Sequence, residues 1–201
     1  MAGRNWREVS AALKTITPIC LAHDSDGIDL HFLNTPDSAS YLNLTSAGRV
    51  QSVFDNVKPG GGTPTGRRLN AILKPYLASL EALPRGALEE SAIKPLNIIV
   101  LTDGAYADDV ESVVISTCKK LDKLDAPAWQ IGIQFFQVGA DEEARLALEE
   151  LDDGLEERAG RDIVDTMPWR KEMEGRGGVS GEGILKVVLG AVNRRLDRRG
   201  H

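Results

Sequence analysis

Two short stretches of this chain carry the residue types that bind hard cations. One is the run Pro59-Gly60-Gly61-Gly62-Thr63-Pro64-Thr65-Gly66, with hydroxyls at Thr63 and Thr65. The other is Thr102-Asp103-Gly104, where the apolar run Leu96-Asn97-Ile98-Ile99-Val100-Leu101 stops. A carboxylate and a hydroxyl brought to one cleft are oxygen ligands of the kind Mg²⁺ prefers. Glycines beside them let the backbone approach closely and take φ values that other residues resist.

Other chemistries fit these residues less well. Gly61 to Arg68 has the glycine spacing of a phosphate-binding P-loop, but arginines stand where its lysine and Mg²⁺-binding hydroxyl belong. The run also follows a helical pattern rather than a strand. His23, His31 and His201 are the only histidines, and none falls near a serine or cysteine nucleophile by sequence logic. Asp108-Asp109 and the acidic cluster Glu149-Glu150 with Asp152-Asp153 read as helix-start charges and a solvated face rather than acid/base pairs. Trp169 and Met173 read as residues packed under a sheet edge.

The elements that must position the two stretches follow from periodicity. Trp6, Val9, Leu13, Ile16 and Cys20 mark one helical face, and Pro18 is expected to kink that helix or end its regular part. Alternation over Gly27–Asn34 predicts a strand, and residues 40–44 predict a second one paired with it in an antiparallel hairpin. Ser46 can cap a helix that ends near Val57. Leu69, Ile72, Leu73, Tyr76, Leu80 and Leu83 predict another helix, interrupted at Pro75. Residues 96–102 predict a strand buried on both faces, as in a parallel sheet. A helix over 110–124, a strand over 131–138, an acidic helix over 140–155 and a short edge strand at Ile163-Val164-Asp165 complete the pattern. Residues 169–201 read as a glycine-rich linker and a final helix packed on the same domain, with Arg194, Arg195, Arg198 and Arg199 at its solvated end. Alternating strands and helices predict an open, mostly parallel, Rossmann-like α/β sheet with helices on both faces.

With those elements in place, Gly-Gly-Thr-Pro-Thr-Gly ahead of a helix and an apolar strand ending in Thr-Asp-Gly resemble the second and third metal-site motifs of von Willebrand factor A domains. The similarity extends over residues 1–168. The resemblance implies that Thr63 and Asp103 are metal ligands, and that Gly61, Gly62, Thr65, Gly66 and Gly104 shape the loops. It also implies a central first strand ending in Asp-x-Ser-x-Ser, which does not occur in this sequence. The domain is therefore expected to lack that strand and loop, leaving one antiparallel edge strand in the sheet and either a vacancy at its centre or direct pairing of the strands matching residues 27–34 and 96–102. Mg²⁺ is expected in a complete domain and to be weak or absent here, because two protein ligands hold it poorly.

Composition sets the outer bounds. The chain has 201 residues, 42% of them hydrophobic and 27% charged, enough for one domain with a substantial core. Its net charge of −6 argues against nucleic acid as the main partner. No apolar run approaches the roughly 18 residues of a membrane span, and the N-terminus shows no secretory signal. Cys20 and Cys118 read as free thiols, which assigns the chain to the cytoplasm. The resemblance implies a non-catalytic protein-interaction module with a residual metal site, whose partner contributes an acidic side chain. The alternatives are a metal-independent scaffold, as in ubiquitin or proteasome assemblies, that binds through an open sheet edge or helix face, and an accessory subunit of an ATP-driven complex.

Overall fold

The computed structural model describes residues 1–23, 25–84, 88 and 93–167. The expected linker and final helix, with Trp169 and Met173, lie outside those residues. Helix α1 spans Gly3–His23 and buries Val9, Ala12 and Ile16 along the predicted stripe. Pro18 lies inside it, so of the two expected outcomes an end to the helix does not occur. A proline removes one ladder hydrogen bond, and the helix runs on with its apolar face buried and the Thr17 hydroxyl bonded to the Leu13 carbonyl (2.6 Å). Pro75 is likewise inside α3, which spans Thr65–Glu81. Between them, α2 spans Ala47–Asn56, capped by Ser46 through the Arg49 N–H.

Three strands form one parallel sheet in the order β1-β2-β3: Leu96–Thr102, Ile131–Gln137 and Val164–Met167. Helix α4 (Val110–Lys123) follows β1, and α5 (Glu142–Ala159) follows β2. Asp109 and Asp141 cap these two helices. The chain is thus an α/β protein with five helices around a three-stranded parallel sheet, among the described residues.

Side chains on β2 alternate between two cores, as the pleat requires. Ile131, Ile133 and Phe135 join Leu69, Leu73, Val114, Leu121, Leu148 and Leu151 of α3, α4 and α5. Phe136 and Val138 join Val9, Ile16, Val50 and Phe54 of α1 and α2. Among the described residues no helix is long and apolar enough to cross a membrane.

The predicted strand over 27–34 is absent. Ile28 makes an isolated antiparallel bridge with Leu44, Leu30 N–H reaches the Tyr41 carbonyl (2.9 Å), and the rest of the segment pairs with nothing in the sheet. A strand is defined by a neighbour as much as by its own alternation, and no ladder forms beside this one. The predicted partner strand at 40–44 is replaced by a 3₁₀ turn over Ala39–Tyr41, so the antiparallel hairpin is reduced to that one bridge. The strand at 96–102 has the predicted limits but not the predicted burial: Leu96 to Leu101 are all partly exposed.

Candidate functional site

At the carboxyl ends of the strands the two candidate stretches meet. The Thr63 carbonyl accepts the N–H groups of Thr65 (2.8 Å) and Ala107 (2.9 Å), which fastens the glycine-rich loop to the segment after β1. The Thr63 hydroxyl lies 3.9 Å from where a β-carbon on Gly104 would sit. Thr102 closes the turn after the strand, its hydroxyl donating to the Gly104 carbonyl (2.8 Å). The structure therefore brings Thr63 beside the residue that follows Asp103.

Each loop-shaping residue has an identifiable place. Gly61 sits at φ +85°, where side chains are strained, and a β-carbon there would lie 2.8 Å from Asn34 Cγ. Asn34 in turn donates to the Gly62 carbonyl (2.6 Å), while the space beside Gly62 itself is open. Thr65 is buried at the start of α3. Gly66 allows the closest approach in the region, since a β-carbon would come 2.5 Å from the Asp109 carbonyl oxygen.

Asp108, read from the sequence as a helix-start charge, serves the start of α3 rather than that of α4. Its carboxylate accepts the Gly66 and Arg67 N–H groups, both at 2.7 Å, and so caps α3 from another loop. Pro64, the residue ahead of α3, makes no side-chain cap of its own. That proline was the available signal: a helix end whose donors had to be satisfied from elsewhere.

Asp103 is held from the other side. Its Oδ2 accepts from Asn5 Nδ2 (3.3 Å) and its Oδ1 pairs with the amino group of Met1 (2.8 Å). Asn5 also abuts Gly139, where a β-carbon would sit 3.0 Å from its Nδ2. The start of α1 thereby seals the ends of β1 and β2.

Both Asp103 oxygens face N–H donors, and Asp108 is engaged in the cap of α3. Among the described residues no three His, Cys, Asp or Glu side chains are grouped to hold a metal.

Of the two arginines at the P-loop-like positions, Arg68 is engaged by other residues. Arg68 makes a bidentate pair with Asp37 (3.0 Å for each bond) and reaches the Thr35 carbonyl (3.1 Å). His31, expected in mid-strand, bonds the same carboxylate through Nδ1 (2.8 Å). Burial raises the Asp37 pKa, but the His31 and Arg68 hydrogen bonds and charges outweigh it and hold the carboxyl below its ordinary value. Both cysteines are free, and burial pushes the Cys118 thiol up to about 11, so it is not a nucleophile at neutral pH.

No protein-family model, curated protein or solved structure matches the chain.

Proposed function

We propose that this chain is a non-catalytic protein-interaction module, of the von Willebrand factor A type in outline, that engages its partner without a bound metal ion. One observation carries the metal-free part: both oxygens of Asp103 are engaged by N–H donors. A carboxylate so satisfied gains less from a hydrated cation, because it must first give up those bonds. The docking of the Gly61–Gly66 loop against residues 104–109 supports the outline, since it sets the glycine-threonine loop at the carboxyl end of β1.

The test combines calorimetry with capture of partners from cell extract. Titration of Mg²⁺ into the protein is expected to give no saturable heat. The captured partner is expected to be the same in Mg²⁺ and in EDTA, and the same for Asp103→Ala. Saturable Mg²⁺ binding that Asp103→Ala abolishes, or a partner released by EDTA, overturns this reading.

A further inference from the structure

We propose that the free edge of β1 is a receptor for an extended, uncharged, apolar strand of a partner polypeptide. The inference rests on the interaction-module reading and gives that module a partner chemistry. In the parallel register Leu96, Ile98, Val100 and Thr102 direct their N–H and C=O groups toward β2, as the bonds Leu96 N–H to Gln130 and Val138 N–H to Thr102 show. Asn97, Ile99 and Leu101 direct theirs the other way. Among the described residues none of those N–H or C=O groups has a backbone partner. The Asn97 side-chain oxygen is also buried without a partner.

Exposure locates the opening. Leu96, Ile98 and Val100 pack against the α3–α4–α5 core, and Leu101 packs against the α1–α2 core. A strand with side chains packed into a core on each side yet partly exposed at every residue from Leu96 to Leu101 has its exposure along the unpaired edge. An edge of seven residues without charge, proline or glycine is a template for pairing.

The surroundings select the occupant. Apart from Asn97 the side chains on both faces of the strand are apolar, which favours a bound strand that is a continuous apolar run rather than an alternating one. Residues 96–102 carry no charge, and Lys94 just before them is bonded to Asp26, so a charged occupant would find no counter-ion. The segment from Asp26 to Asn34 is tied near both ends of β1, through Lys94 and through Gly62, and its Leu30 and Phe32 share a core with Leu101. A single extended strand needs far less room beside it than the body of a second copy. About seven residues, roughly 23 Å, span the edge.

Binding of a synthetic strand to the full chain tests this. The probe has six valine and isoleucine residues between lysine pairs and is N-methylated at alternate residues, so that it pairs along one edge only. The control is methylated at every residue. By fluorescence anisotropy the probe is expected to bind one per chain and the control at least about tenfold more weakly, the equivalent of one or two lost hydrogen bonds. Ile99→Pro removes an edge N–H but none of the β1–β2 ladder, and is expected to lose a similar factor while keeping the wild-type circular dichroism. Equal binding of probe and control, no binding of either, or a chain that sediments as a dimer which Ile99→Pro dissociates overturns the proposal. Each of these results leaves the metal-free reading standing, because that reading fails on EDTA and Asp103→Ala instead.

Discussion

β1 and β2 are neighbours of equal length, paired along all seven residues, and both are rich in isoleucine and other large apolar side chains. Six of the seven β2 residues are buried, whereas only Thr102 is buried in β1. The difference lies in their neighbours: among the described residues β2 has a strand on each side and β1 has one. Burial of a strand is therefore a property of the sheet position, and composition alone does not set it. The core should accordingly lean on β2, and the end of β1 should be held by its loops.

The largest expected effect separates the two strands directly. Phe135→Ala in β2 should cost about 3–5 kcal/mol in urea unfolding, the range for a buried phenylalanine. Val100→Ala, opposite it in register and only partly buried, should cost no more than about 1 kcal/mol. Equal costs would break the comparison.

Next in size is Gly66→Ala, which forces a methyl group against the Asp109 carbonyl at the end of β1 and should cost about 1–3 kcal/mol. Gly62→Ala in the same loop, with open space beside it, is the matched control and should change stability by less than about 0.5 kcal/mol. Asp108→Ala removes the cap of α3 and should cost about 1 kcal/mol by the same measurement.

How much of this was legible in the sequence depends on the range of the signal. The limits of β1 and the Ser46 cap of α2 are written in adjacent residues, and the sequence reading placed both. The cap of α3 by Asp108 spans 42 positions and the Asn5–Asp103 bond spans 98, so no local pattern announces either. The predicted strand at 27–34 failed for a related reason: alternation reports a half-buried surface, and pairing needs a neighbour, which among the described residues is limited to the bridge from Ile28 to Leu44. Within the candidate site, the motif pair led to the expectation that the Thr63 and Asp103 side chains converge; the structure sets the Thr63 hydroxyl beside Gly104. The engagement of Asp103 by the start of α1 was not anticipated.

The smallest expected effect is common to both strands. The helix after each begins with a carboxylate whose pKa is lowered: Asp109 by hydrogen bonds from Ser112, and Glu142 by its hydrogen bond with Arg145. A lowered folded-state pKa contributes stability above the unfolded values of about 3.9 and 4.3, and that stability is lost as pH falls through the folded values. Both groups lie at the surface, so the urea midpoint should fall only slightly between pH 6 and pH 3. A midpoint that rises on acidification would contradict the assignment.

Amide hydrogen exchange along β1, followed residue by residue in the full chain, bears most directly on the free edge. Ile98 and Val100, bonded to β2, should be protected, and Asn97, Ile99 and Leu101 should exchange at least about a hundredfold faster. That odd–even alternation is the predicted result. Uniform protection from Asn97 to Leu101 would mean that the edge is already filled, and would contradict the account.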